Sequence, residues 1–240
     1  MTSASHSRFD FAPMAASYDS WYETDEGRRH DAAQKQVVLS MLPVSVTGKR
    51  RDLLDVGCGT GHWSVFFAEL GFEVIGTDIS PTMITAAQAR NAAHCRFAVA
   101  DVMKLPFLNN DFDVVGAMAM LEFVSDARRA CAEMMRCLKS GGWLIAGALN
   151  RLAGVNQRRV TEQAEPYVSA QMFAPEELRA LLARFGDVNI RVTTEVLAKL
   201  PDKTATIRHA PDGPLKITPN DRFRNGRMSG AFIIATVQKP

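Results

Sequence analysis

The sequence predicts an α/β protein in which helices cover both faces of a mostly parallel sheet, giving three layers. Short apolar runs alternate with segments of helical period along much of the 240 residues, the pattern expected of strands joined by crossover helices. The strand-like Leu53-Leu54-Asp55-Val56 runs into Gly57-Cys58-Gly59-Thr60-Gly61 and then into an apolar, helix-like stretch from His62 to Leu70. A composition of 47% hydrophobic and 22% charged residues suits a globular chain with an ample core.

The glycine stretch organises the rest. A strand, a tight turn and a helix N-terminus need glycine where side chains would block a ligand and where the turn takes backbone angles unfavourable to other residues. The loop therefore reads as the floor of a nucleotide-type site, with a plain glycine-rich turn as the alternative. A dinucleotide fingerprint, G-x-G-x-x-G, would place its third glycine at position 62, where this chain has His62. What stands instead is G-x-G-x-G preceded by Asp55.

The longer run DVGCGTGHWS resembles the class I S-adenosylmethionine-dependent methyltransferases, most closely the type 11 and ubiquinone/menaquinone-biosynthesis small-molecule enzymes. The resemblance implies a Rossmann-like, seven-stranded, mostly parallel sheet with an antiparallel last strand, an N-terminal helical arm and C-terminal insertions. It implies S-adenosylmethionine as cofactor, S-adenosylhomocysteine as product, and Asp55, Gly57, Cys58, Gly59 and Gly61 beneath the methionine and ribose parts. One domain over residues 1–240 is expected: an arm and helix (1–45), a cofactor-binding core (50–150) and a substrate-side half (151–240).

Residues 1 to about 12 are polar and without period, as lightly held termini are. Tyr18, Trp21 and Tyr22 then crowd together beside Asp19 and Glu23. Such a cluster can staple an arm onto the body. The resemblance implies that the arm also closes over the cofactor, with Tyr18 against it and Trp21 and Tyr22 toward a substrate. Arg28 to Leu42 has helical period and ends at Pro43.

Phe72 to Thr77 reads as a second parallel strand and ends at Asp78, about twenty residues past the glycine loop, where an acid can accept from two ribose hydroxyls. The alternative is a turn aspartate, because Ser80-Pro81 next opens a helix with a serine cap and a proline at its first position. Ile79 follows Asp78 against the cofactor. Strand three covers His94 to Val99, and the resemblance gives Asp101 the adenine amino group and Val102 N–H a ring nitrogen.

Strand four, Asp111 to Met118, brings Met118 to the cofactor and leads to Glu122. That carboxylate is expected near the transferred methyl as a catalytic residue that could orient an acceptor, take its proton or balance a cation; it could also cap the next helix. The helix starts at Ser125 or Asp126 and runs to Leu138, with Gly141-Gly142 as its stop. Strand five, Trp143 to Leu149, delivers Asn150 and Arg151 to the substrate side. Ligands gather outside the carboxyl ends of such strands, so Asp78, Asp101, Glu122 and Asn150 are expected on one rim.

Residues 151–174, with Arg158, Arg159 and Tyr167, read as a substrate lid or an irregular loop. Pro175 to Phe185 is an amphipathic helix followed by Gly186. Val188 to Val196 and Ala231 to Val237 are the closing strands, and the 198–229 excursion between them is a second cap or an oligomer contact. No oligomeric state follows from the sequence.

A net charge of +2 without a concentrated basic stripe argues against a nucleic-acid partner, and the mixed charges from Lys199 to Arg227 suit a solvated loop. Cys58, Cys95, Cys131 and Cys137 lack metal-ligand spacing and read as small buried residues in a reducing compartment. No bilayer-spanning stretch or signal-peptide core is present, so a cytoplasmic protein with no membrane partner is expected. No metal site and no [DNS]-P-P-[YFW] motif is found.

Methyl transfer from a sulfonium is an in-line displacement that mainly needs alignment and exclusion of water. The expected activity is therefore methylation of a small-molecule acceptor. A non-catalytic S-adenosylmethionine-binding sensor or scaffold is the alternative. An NAD-dependent oxidoreductase is disfavoured by His62 and by the lack of a Tyr-x-x-x-Lys pair. The acceptor itself is not fixed by fold.

Overall fold

The structure, a computed structural model, describes residues 6–42, 51–193 and 230–240. Seven strands form one sheet: β1 (Arg51–Val56), β2 (Phe72–Asp78), β3 (Cys95–Val99), β4 (Phe112–Met118), β5 (Leu138–Leu149), β6 (Val188–Val192) and β7 (Phe232–Gln238). Their order is β3-β2-β1-β4-β5-β7-β6. The first five strands pair in parallel, and β7 runs antiparallel between β5 and β6. The helices are α1 (Ser20–Glu23), α2 (Asp25–Met41), α3 (His62–Glu69), α4 (Pro81–Ala89), α5 (Ala127–Cys137), α6 (Gly154–Thr161) and α7 (Pro175–Leu182).

Central strands buried on both faces read as continuous apolar runs, because successive side chains point to opposite sides. Leu53, Val114, Ile145 and Ile234 face one way and pack against Val37 and Val38 of α2 and Phe66 and Phe67 of α3. Their neighbours Leu54, Val115, Leu144 and Ile233 face the other way, onto Cys131 and Met134 of α5 and Leu178 and Leu182 of α7. The caps follow local chemistry. Thr24, Ser80 and Asp126 accept hydrogen bonds from the backbone N–H groups of Gly27, Met83 and Arg129 at the starts of α2, α4 and α5.

Two expectations change. The helix before β5 ends at Cys137, and Gly141-Gly142 lie inside the strand instead of stopping the helix. The register shifts there between the pairs at Phe112 and Val114, and Gly141, at φ +76°, donates its N–H to Lys239 O. Residues 151–174 are not wholly irregular: they contain α6, held by Asn156, whose Nδ2 donates to Asn150 O and Ala231 O, each at 2.9 Å. The strand from Val188 runs to Val192; its expected continuation over 194–196, Pro43 and the 198–229 excursion lie outside the described residues.

The four cysteines are free thiols, and Cys95 is only partly buried. Among the described residues, no helix is long and apolar enough to cross a membrane, and no cluster of His, Cys, Asp and Glu could hold a metal ion.

A cavity at the carboxyl ends of the central strands

The strand order reverses between β2-β1 and β4-β5, which opens a crevice at the carboxyl ends of β1 and β4. The cavity there is lined by Gly57 to Thr60 of the glycine loop, Asp55, Asp78, Ile79, Asp101, Val102, Met118 and Met120, with Tyr18, Tyr22, Phe11 and His6 from the N-terminal segment.

Gly57, Gly59 and Gly61 all have positive φ, at +71°, +54° and +83°, a region that favours glycine. A Cβ on Gly61 would stand 2.9 Å from Phe97, whereas one on Gly59 would meet nothing within 4 Å. The first glycine in that pair serves packing; the second leaves room above the loop. Thr77 O accepts from Gly57 N–H and Cys58 N–H at 2.7 and 2.9 Å and so fixes the loop to the end of β2.

Asp78 is held in place before any ligand arrives. One carboxylate oxygen accepts from Gly59 N–H and the other from Ser80 N–H, both at 2.9 Å. Burial raises its pKa, and those backbone bonds only partly offset the rise. Asp101 accepts from Met103 N–H at 2.9 Å, and its second oxygen lies 2.5 Å from Nδ1 of His6. Asp55 projects toward α3 and accepts from Ser64 Oγ at 2.6 Å, while its other oxygen is buried without a partner. Burial, with Asp78 nearby, pushes the Asp55 carboxyl up to about 7.

The arm is tied directly to this loop. Asp19 accepts from Thr60 Oγ1 at 2.7 Å and pairs with Arg90 of α4. Tyr18 and Tyr22 both carry hydroxyls whose pKa is raised, chiefly by burial. Residues 6–8 run beside 123–125: Ser125 N–H donates to His6 O, and Arg8 N–H to Phe123 O.

Six sequence-selected residues are absent from the cavity wall: Gly61, which packs on Phe97, and Trp21, Glu122, Asn150, Arg151 and Tyr167. Glu122 is fully buried on a 3-10 turn, where Oε1 accepts from Leu149 N–H at 2.9 Å and Oε2 has no partner. Burial pushes its carboxyl up to about 7. It does not cap the following helix; Asp126 does. Asn150 is fully buried, donates to Gly230 O and accepts from Leu152 N–H, so the end of β5 spends it on chain direction. Arg151 turns away to Glu177 at 2.7 Å. Trp21 packs edge-on against Tyr22, and Tyr167 lies under the Arg159 guanidinium at 4.5 Å. The expected shared rim therefore keeps Asp78 and Asp101 and loses Glu122 and Asn150.

The cavity also recruits residues that sequence reasoning passed over. His6, Ser7 and Phe11 come from a stretch without period. His62 lines it too; in the sequence this residue breaks a dinucleotide spacing, and its place just after the glycine loop is a usable signal.

Residues 54–146 match a family model described as a methyltransferase domain. The chain is 29% identical to a malonyl-[acyl-carrier protein] O-methyltransferase of Serratia marcescens, over 62% of this chain and 56% of that protein. It is 31% identical to a demethylmenaquinone methyltransferase of Staphylococcus carnosus, over 56% of each. The chain thus spans little more than half the length of these relatives. In fold it resembles a Thermotoga maritima S-adenosylmethionine-dependent methyltransferase, with a TM-score of 0.69 and 23% identity over 96% of this chain and 98% of that one.

The fold is of the Rossmann-like class, with a cavity at the sheet's switch point. Over residues 54–146 the chain is similar to methyltransferase domains, and its fold is the one seen in the Thermotoga maritima enzyme.

Proposed function

We propose that the protein transfers a methyl group from S-adenosylmethionine to a small-molecule acceptor. One observation carries this reading: a single cavity offers a hydrogen-bond acceptor for each polar part of that cofactor. Asp78, fixed by Gly59 and Ser80, suits two ribose hydroxyls. Asp101, with Val102 N–H beside it, suits the donor–acceptor edge of adenine. The bare oxygen of Asp55 suits the ammonium of the methionine portion, a buried acceptor that otherwise has no donor.

Bound, the cofactor supplies an electrophilic methyl on a sulfonium. The protein's own share is alignment and dryness. Phe11 and Tyr18 of the arm line the cavity together with Phe123, and the Phe11 and Phe123 rings meet edge-to-face at 4.9 Å. An arm that closes the cavity favours an acceptor of modest size. Relatives named for a malonyl carrier and for demethylmenaquinone differ in acceptor, so likeness supports the donor and leaves the acceptor to this chain's own chemistry. Glu122, fully buried with Oε1 on Leu149 N–H and outside the cavity wall, takes no step in this reading.

Parallel calorimetric titrations with S-adenosylmethionine, S-adenosylhomocysteine and NADH test this reading. Binding of the first two alone is expected. Binding of NADH alone would overturn it, and binding without turnover of any acceptor would favour a sensor.

A further inference from the structure

His62 is the first residue of α3 and lines the cavity. Its Nε2 lies 2.8 Å from Oδ1 of Asp31, whose other oxygen accepts from Lys35 Nζ at 2.7 Å. Burial opposes ionisation of Asp31, but the hydrogen bonds from His62 and Lys35 outweigh it and hold the carboxyl below its usual value. An ionised carboxylate can only accept, so Nε2 carries a proton, and in the neutral ring the lone pair is on Nδ1. No described residue bonds Nδ1. The ring is pinned from the side by Tyr22, stacked on it at 3.8 Å and 7°. Tyr22 itself lines the cavity and lies within electrostatic reach of Tyr18, Tyr167, Asp19 and Asp31.

This is the arrangement a general base needs: one ring nitrogen anchored to a carboxylate, the other left free, and the plane held by packing. We propose that His62 is a catalytic residue that takes the proton of the methyl acceptor, with Asp31 as its positioning residue, and that the acceptor is a hydroxyl or an amine. The inference rests on the methyl-transfer reading above. As the acceptor's X–H bond gives its proton to Nδ1, the X lone pair bonds the methyl carbon. The carbon–sulfur bond breaks, its electron pair stays on sulfur, and the sulfonium becomes a neutral thioether. Asp31 balances the resulting imidazolium, which then releases its proton to solvent. A carboxylate acceptor has no proton to give and would make no use of this pair.

The charged and titratable groups around the ring are Asp31 and Lys35 on α2, Tyr22 on α1, and Asp19 on the arm with its Arg90 partner. None of them competes for Nδ1 in the structure. The same contacts also staple the arm to the core, so the test must separate the two roles.

Nitrogen-15 NMR of the imidazoles, in protein saturated with S-adenosylhomocysteine, reads the tautomer directly, with His62→Gln assigning the signal. The neutral ring is expected to be protonated on Nε2, with Asp31→Asn giving a mixture of tautomers. A wild-type ring protonated on Nδ1 would overturn the proposal. Methylation is then assayed with dopamine, which carries phenol and amine groups, and with phenylacetate, which carries only a carboxylate. Dopamine is expected to react and phenylacetate not. His62→Gln should lower kcat on dopamine by about 100-fold while S-adenosylhomocysteine affinity stays within about twofold.

Transfer to phenylacetate that survives His62→Gln would overturn the proposal, as would a loss of cofactor affinity that matches the loss of transfer. If neither probe reacts, the tautomer alone decides in the same sense. Failure of the wild-type protein to bind S-adenosylhomocysteine would instead remove the methyl-transfer reading itself.

Discussion

Asp55 at the end of β1 and Glu122 just beyond β4 are near-twins in electrostatics and opposites in access. Each is buried, at 1% and 0% exposure. Each has one oxygen bonded, to Ser64 and to Leu149, and one bare. Burial is the largest cause of the rise to about 7 in both. Yet only Asp55 lines the cavity. A carboxyl displaced from its usual range therefore reports burial, and a ligand site needs access as well.

The parallel half of that comparison makes the largest prediction. Both carboxyls hold their proton more tightly folded than unfolded, so the folded state binds more protons between the ordinary values of 3.8 and 4.5 and about 7. Stability from this source is complete at acid pH and is lost as pH rises through about 7. Asp55→Asn and Glu122→Gln should each raise the unfolding free energy at pH 8–9 by about 3 kcal/mol in the ligand-free protein. Urea unfolding from pH 4 to 9 checks this; a slope that flattens in only one variant would break the parallel.

The opposite half makes the next. Asp55→Asn should weaken S-adenosylmethionine by about 10- to 100-fold, on the order of 1–3 kcal/mol for a charge-assisted bond, and Glu122→Gln should leave the affinity within about twofold. Equal losses in calorimetry would show that Glu122 reaches the ligand after all.

The same contrast explains what was legible in the sequence. The glycine loop, Asp78 and Asp101 are set by strands and turns close by in the chain, so DVGCGTG and the tips of β2 and β3 could be placed without a structure. Glu122 and Asn150 depend on distant partners. The N–H of Leu149 captures the first, and Gly230 O, from the far side of the 194–229 segment, captures the second. Gly141-Gly142 looked like a helix stop because glycine serves that purpose often, but pairing with the chain end at Lys239 absorbed them into β5. His62 is visible in the sequence only as the residue that breaks a dinucleotide spacing, because its partner Asp31 lies on a separate helix.

The arm extends the comparison from single residues to segments. Removing residues 1–22 strips Tyr18, Tyr22 and the Asp19 anchor from the cavity but leaves α2 and the sheet core in place. S-adenosylhomocysteine affinity should fall by about 10-fold, about 1.4 kcal/mol, with the circular dichroism spectrum unchanged. Unchanged affinity would make the arm a cover for the acceptor alone.

The smallest effect sets the baseline for the others. Asp126 is exposed, lies outside the cavity wall, and caps α5 by accepting from Arg129 N–H at 3.0 Å. Asp126→Ala should cost about 1 kcal/mol of stability and nothing in cofactor affinity, because α5 packs on the sheet through Cys131 and Met134 and does not wall the cavity. Should this variant also weaken S-adenosylmethionine, affinity in this protein would track stability in general. The loss in Asp55→Asn would still stand apart, since that substitution lowers affinity while raising stability at alkaline pH. Opposite signs at one residue are what a buried acceptor reserved for a ligand must show.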